Sequence, residues 1–399
     1  MSNLSWLSYS ESERERTRDI ISQFSERGTR DELGIGRIRD AFANRLFPGT
    51  STIQTRACYF LFIPWMYREL EEKRVSSNRI ERRAQRYEYR LIDTLREGDD
   101  TEGIIGKQAG RDLKRLPSNV YWGGLGTLEI LKYDGSQPAY HRSLDLYYEV
   151  LDQQERTDNY DLADDVHVNW DPNLPSAPEE FPDEASIELR REDALYLRDK
   201  ILQTVPTSML AAVLSVGELG FQTDFPWQYP HIEDLPSSIT ETLEHARNFS
   251  EVIYGATLLY NLLLARETGD VGLIEQYETK LDGWIQSIDR RLSTIRDWDV
   301  SQFWNIVTEA GASTPPGMVR FVDRWIELTR TSYDSVPEHE PATQLIEDRE
   351  RQLKRGRAKL VDPEALEQWG GASAAHQLSF RWPTASTHIA DILNGLEGS

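Results

Sequence analysis

Arginine is the side chain best shaped to grip phosphate, because its planar guanidinium offers paired donors at a fixed angle. From Lys73 to Arg90 the chain carries seven basic side chains (73, 74, 79, 82, 83, 86 and 90) and two acidic ones (81 and 88). Arg79, Arg83, Arg86 and Arg90 follow at steps of four, three and four, so a helix gathers them on one face. Lys107, Arg111 and Lys114 repeat the spacing at four and three, with Arg115 in the following turn. Two such stripes would straddle the phosphates of a nucleic acid. Asn119 and Trp122, near the start of the next predicted helix, would then lie nearest the bases. The competing expectation is that these cations pair within the molecule or with a protein partner, since the rest of the chain supplies a carboxylate-rich surface.

Other chemistries leave no comparable trace. There are seven histidines and one cysteine, and neither an HExxH run nor a Glu-x-x-His pair occurs. The nearest approach, Asp164 with His167, falls in an acidic loop, and Glu241 with His245 reads as a solvent-facing pair. Gly34-Ile-Gly36 lacks the third glycine of a dinucleotide loop, while Gly123, Gly124 and Gly126 sit inside a helical pattern, where glycine serves close packing. A phosphate-binding P-loop, a GxSxG nucleophile elbow and a His-x-Lys pattern are all missing. Asp112-x-Lys114 and Glu278-x-Lys280 echo the tail of a nuclease motif, but charged helices produce such two-residue matches by chance. The expectation is therefore no metal, no cofactor and no catalytic residue. Cys58 reads as a small buried apolar side chain, and a single cysteine fits a reducing compartment.

The elements that must position the stripes are helical. A capping-box start at Ser10 and Glu13 opens a charged helix toward Phe24 and Arg27. IQTRACYFLFIPWMYRELEEK reads as a buried helix interrupted by Pro64, with a short strand at 59–63 as the alternative. SSNRIERRAQRYEYRLIDTL is capped near Ser76 or Ser77. IIGKQAGRDL and PSNVYWGGLGTLEIL, joined by KRLPS, look like a helical hairpin or helix-turn-helix pair whose second member opens on Pro117. Farther on, Leu243, Ala246, Phe249, Ile253, Ala256, Tyr260 and Leu263 mark one long amphipathic helix that Gly269 ends, with an antiparallel partner following. The expected fold is all-α, in two helical domains: a front domain with the basic stripes over 1–150 and an acidic helical bundle over 186–399. Between them, 151–185 is an acidic, proline-rich linker or surface crossing, in which Pro172, Pro175, Pro178 and Pro182 forbid a single regular element.

Composition sets the environment. At 399 residues a core can form without disulfides. Net charge is −22, and eight of the 45 basic residues are lysine, leaving 37 arginines against 67 carboxylates, the pattern expected of a salt-adapted cytoplasm, with an acidic protein of a GC-rich mesophile as the alternative. Residues 1–134 escape the acidic trend, with 23 basic and 21 acidic side chains. The N-terminus has no secretory h-region, and the longest uncharged apolar run, Ala57 to Tyr67, is too short to span a bilayer. A cytoplasmic protein with no membrane association is expected. Trp284, Trp298, Trp304, Trp325, Trp369 and Trp382 are expected to be packing material rather than a ligand cage.

SWLSYSESER at the start, TIQTRACYFLFIPWMYRELE, IIGKQAGRDLKRLPSNVYW, FSEVIYGATLLYNLLLA and the FRW tail together resemble an uncharacterised bacterial and archaeal family beginning Ser-Trp-Leu-Ser, nearly end to end. The family has no assigned activity or catalytic residues. The resemblance implies a place beside helicase-like and phospholipase-D-like nuclease proteins of antiviral defence clusters. It thus implies a non-catalytic accessory subunit that recognises nucleic acid or organises helicase-like and nuclease partners. Two further readings stand beside it: a structural helical scaffold whose charges are internally paired, and an enzyme with an unrecognised site.

Overall fold

A computed structural model of the chain describes residues 31–98, 100–156, 168–218, 220 and 222–398. The expected capping box at Ser10 and Glu13 and the Asp164 and His167 pair lie outside these residues. The described residues form fourteen α-helices and no sheet, with one isolated antiparallel bridge between Leu131 and Trp170. The chain is all-α. It divides into two compact units, the first made (of described residues) from 31–45 and Ser237–Phe380, the second from Leu46–Pro236 and Arg381–Ser399. That partition does not follow the succession 1–150, 151–185 and 186–399, because a unit is assembled from segments far apart in the chain.

In the first unit, α1 (Gly36–Leu46) opens on Asp31, whose carboxylate accepts the Ile35 N–H at 2.7 Å and the Gly36 N–H at 2.6 Å. The other helices of this unit are α8 (Ser237–Thr268), α9 (Val271–Asp297), α10 (Val300–Glu309), α11 (Pro316–Ser332), α12 (Glu340–Lys354) and α13 (Pro363–Glu367). Gly269 takes the left-handed conformation, φ 70°, that ends α8, and Asp270 caps α9 by accepting the Leu273 N–H at 3.0 Å. Trp284 lies against Gly255 and donates to the Glu251 carbonyl at 2.8 Å, while Trp325 donates to the Val252 carbonyl at 2.8 Å. Both indoles are buried, as packing material should be. Inside the unit, Glu350 accepts the Tyr260 hydroxyl at 2.6 Å and the N–H groups of Lys359 (2.9 Å) and Leu360 (3.1 Å).

The second unit holds α2 (Tyr59–Glu72), α3 (Ser77–Glu97), α4 (Pro117–Thr127), α5 (Gln137–Arg156), α6 (Arg191–Thr204), α7 (Met209–Val216) and α14 (Trp382–Glu397). Residues 59–67 are all buried, which is why that segment reads as an unbroken apolar run. It is a helix and not the alternative strand, and it runs through Pro64, where the N–H that would reach the Phe60 carbonyl is forfeited. Asp391 of α14 fixes the start of α2, accepting the Ala57 N–H at 2.8 Å and Arg56 Nε at 3.0 Å. The described part of the acidic stretch packs onto α2. Trp170 donates to Glu71 at 3.1 Å, Trp65 donates to the Pro175 carbonyl at 2.7 Å, and the Phe181 ring lies 5.6 Å from Phe62 and 5.3 Å from Trp65.

Candidate nucleic-acid interface

Helix α3 is two-faced. Ile80, Ala84, Glu88, Leu91, Ile92 and Leu95 recur at helical spacing and are buried in the second unit. On the opposite arc lie Arg79, Arg82, Arg83, Arg86 and Arg90, all exposed. The helix begins at Ser76, in an extended conformation, and Asp145 of α5 accepts both the N–H and the hydroxyl of Ser77, the former at 2.9 Å. One orphan N–H of the first turn is therefore satisfied from within the unit.

The electrostatics of the arginine arc are uneven. Among the described residues no carboxylate pairs with Arg79, Arg82, Arg83 or Arg86, whereas Arg90 grips Asp183 with two nitrogens, Nε lying 2.7 Å from Oδ1. Arg79 with Arg83 and Arg82 with Arg86 are like-charge pairs at a spacing of four, each destabilising a helix by about 0.2–0.5 kcal/mol. The four expected residues 79, 83, 86 and 90 do share a face. Arg82 joins them, and Arg90 is the one held by a carboxylate.

The second expected stripe is built differently. Residues 104–113 do not form the first member of a helix-turn-helix pair; their only helical turn is a 3-10 turn, Gly110–Asp112. Gly106 has φ 83°, and a Cβ there would sit 2.9 Å from Leu113 and 3.2 Å from Ile92, so the segment folds down onto α3 as a tight loop. Lys107, Arg111 and Lys114 are exposed and Arg115 is half-buried, but they occupy a loop and not one helical face. Lys107 Nζ donates to the Thr101 hydroxyl at 2.6 Å. Tyr89 of α3 donates its hydroxyl to the Arg111 carbonyl at 3.2 Å, which brings the loop to the edge of the arginine arc.

Trp122 is buried and placed for packing rather than for reading bases, whereas Asn119 is exposed at the start of α4. Asn119 closes the first turn of α4: its Oδ1 accepts the Leu116 N–H at 3.3 Å and its Nδ2 donates to Gln137. Trp122 is 8% exposed, donates to the Gly135 carbonyl at 3.0 Å, and has Tyr140 and Tyr67 rings at 5.3 and 5.7 Å. A large aromatic ring packed against other rings gains more from burial than from solvent.

Two features went unsignalled by the arginine spacing. Tyr89 falls three residues after Arg86 and continues the step of four from Arg82, a pattern visible once aromatic residues are counted with cations. Beneath α3 runs a buried polar chain in which Glu88 accepts the Ser118 N–H at 2.7 Å and its hydroxyl at 3.1 Å. Gln137 Nε2 in turn reaches Ser118 Oγ at 2.8 Å and Tyr67 Oη at 2.7 Å, and Tyr67 meets His141 Nε2 at 2.9 Å. Burial pushes the Glu88 carboxyl up to about 7, against the pull of the Ser118 hydrogen bonds, and pushes His141 down to about 4. This chain ties α2, α3, α4 and α5 together and fixes the helix that carries the arginines. Among the described residues no three His, Cys, Asp or Glu side chains gather as a metal cage, and no helix is long and apolar enough to cross a membrane.

Residues 1–395 match the model of a family described as a family of unknown function (DUF6361), and the chain belongs to that family. No curated protein and no solved structure matches it.

Proposed function

We propose that this member of the DUF6361 family is a non-catalytic recognition subunit that binds nucleic acid through the outer face of α3, alongside nuclease or helicase-like partners in antiviral defence. One observation carries the reading: Arg79, Arg82, Arg83 and Arg86 stand exposed and without an ion pair among the described residues, in a chain with 67 carboxylates. Mutual repulsion on that face is a cost to the folded helix that an arriving polyanion relieves. Arg79 to Arg86 span about 10 Å of helix, enough to meet about three phosphates of one strand. The net charge of −22 turns a polyanion away from the rest of the surface and so orients its approach. In a salt-adapted cytoplasm, where screening acts within about 3 Å at 1 M, the contact depends on direct guanidinium–phosphate hydrogen bonds.

The test is an anisotropy titration of the full chain with DNA and RNA oligonucleotides across a salt series. R79Q/R82Q/R83Q/R86Q should weaken binding and reduce the log–log salt slope by roughly 3, each lost contact removing about 0.7–0.9. Identical binding by this variant removes α3 from the function. The scaffold reading is favoured by the pairs Arg90 with Asp183, Arg56 with Asp391 and Lys200 with Asp171, which neutralise other cations of the same unit internally. Absence of binding to any nucleic acid by the wild type would leave that reading standing.

A further inference from the structure

The arginine face of α3 has unlike borders. On one side Arg90 is neutralised by Asp183, which belongs to a segment that also exposes Glu179, Glu180 and Glu184. On the other side Arg82, Arg86 and Tyr89 follow at steps of four and three, and the Tyr89 hydroxyl reaches the Arg111 carbonyl at 3.2 Å. Beyond that bond Arg111 and Lys114 are exposed, with no ion pair among the described residues. Exposed cations thus continue from Arg82 and Arg86 past Tyr89 to Arg111 and Lys114, with Asp93 and Asp112 as the carboxylates beside them, Asp93 lying 3.9 Å from Arg96.

Tyr89 is an odd occupant of that path. Tyr67, Tyr121 and Tyr140 sit in ring clusters, with neighbouring centroids 5.0–5.7 Å away. Tyr89 is partly exposed, and among the described residues it makes no ring contact and has no cation over its face. Its hydroxyl is anchored, so the ring is held among cations at low entropic cost.

We infer that the polyanion is a single strand, DNA or RNA, whose phosphates follow Arg82, Arg86, Arg111 and Lys114 while a base stacks on Tyr89. This rests on the reading of α3 proposed above. A base can offer its face to an aromatic side chain only where it is unpaired, and the stacking tolerates any sequence because every base has a π-face. A duplex hides those faces, and an acidic peptide has no use for the ring.

The experiment uses the full chain, with labelled oligo-dT and oligo-rU of about 12 nucleotides, a blunt DNA duplex of similar length, and inorganic polyphosphate. Wild type, Y89F, Y89L and R111Q/K114Q are compared, with circular-dichroism melting to check each fold. The expected results are preference for the single strands over the duplex, about a tenfold loss on both single strands for Y89L, and retention by Y89F. Binding of polyphosphate by Y89L should match that by Y89F, because both lack the hydroxyl bond to the loop and phosphate contacts do not use the ring. Equal single-strand binding by Y89L and wild type, or tighter binding of the duplex, overturns the inference while leaving the arginine face in place. An equal loss by Y89L on polyphosphate also overturns it, since Tyr89 would then serve only to hold the loop. Failure of the wild type to bind any of the four probes sinks the α3 reading itself.

Discussion

Arg90 and Asp183, 93 positions apart in the chain, form a two-point ion pair in which Nε lies 2.7 Å from Oδ1 and a terminal nitrogen meets Oδ2. Their side chains remain 59% and 50% exposed, so the pair contributes at most about 1 kcal/mol to stability. Its larger effect is to remove one cation from the arginine face.

Replacing Asp183 with asparagine should therefore strengthen nucleic-acid binding. The freed Arg90 adds about one phosphate contact, steepening the log–log salt slope by roughly 0.7–0.9. Urea denaturation should place D183N within about 1 kcal/mol of wild type. An unchanged slope would mean that Arg90 stays off the bound strand.

Removal of the unpaired arginines should separate stability from binding. R79Q/R82Q/R83Q/R86Q abolishes three like-charge pairs at a spacing of four (79 with 83, 82 with 86, and 86 with 90), worth about 0.2–0.5 kcal/mol each. Urea midpoints at low salt should rise slightly above wild type, and the difference should fade at 1 M salt as screening takes over. A midpoint well below wild type would show that these side chains hold the fold together.

Glu88 should give the second unit a pH-dependent stability. Its carboxyl, raised to about 7 by burial, binds a proton in the folded state at pH values where the unfolded chain, with a carboxyl near 4.5, has already released it. Stability from this group is thus lost as pH rises from about 4.5 through 7, by an amount on the order of 3 kcal/mol. E88Q, which mimics the neutral form, should flatten the stability profile across that window and exceed wild type near pH 8. Parallel profiles for the two proteins would show that Glu88 is not the titrating group.

Gly255 and Gly283 should respond oppositely to alanine. A Cβ at Gly255 would sit 2.3 Å from the Trp284 ring, whereas one at Gly283 meets nothing within 4 Å. G255A should cost about 1–3 kcal/mol from overpacking, and G283A should gain up to about 1 kcal/mol from helix propensity. Equal urea midpoints for the two variants would contradict the close approach of α8 and α9.

The sequence by itself determined what depends on near neighbours along the chain. The all-helical class follows from apolar steps of three and four, as in Leu243 to Leu263, and the sharing of one face by Arg79, Arg83, Arg86 and Arg90 follows from 3.6 residues per turn. The end of α8 was legible too, because Gly269 acts locally on the helix end. Tertiary structure decided the rest. Helical spacing of Lys107, Arg111 and Lys114 could not reveal that Gly106 folds its segment onto Ile92, nor that Trp122 faces Tyr67 and Tyr140. Asp183, and not one of the other carboxylates, neutralises Arg90 because packing of Phe181 against Phe62 and Trp65 brings that segment beside α3. Periodicity carries the direction of each side chain from its own helix; what waits there is supplied by residues many tens of positions away, chosen by the burial of apolar surface.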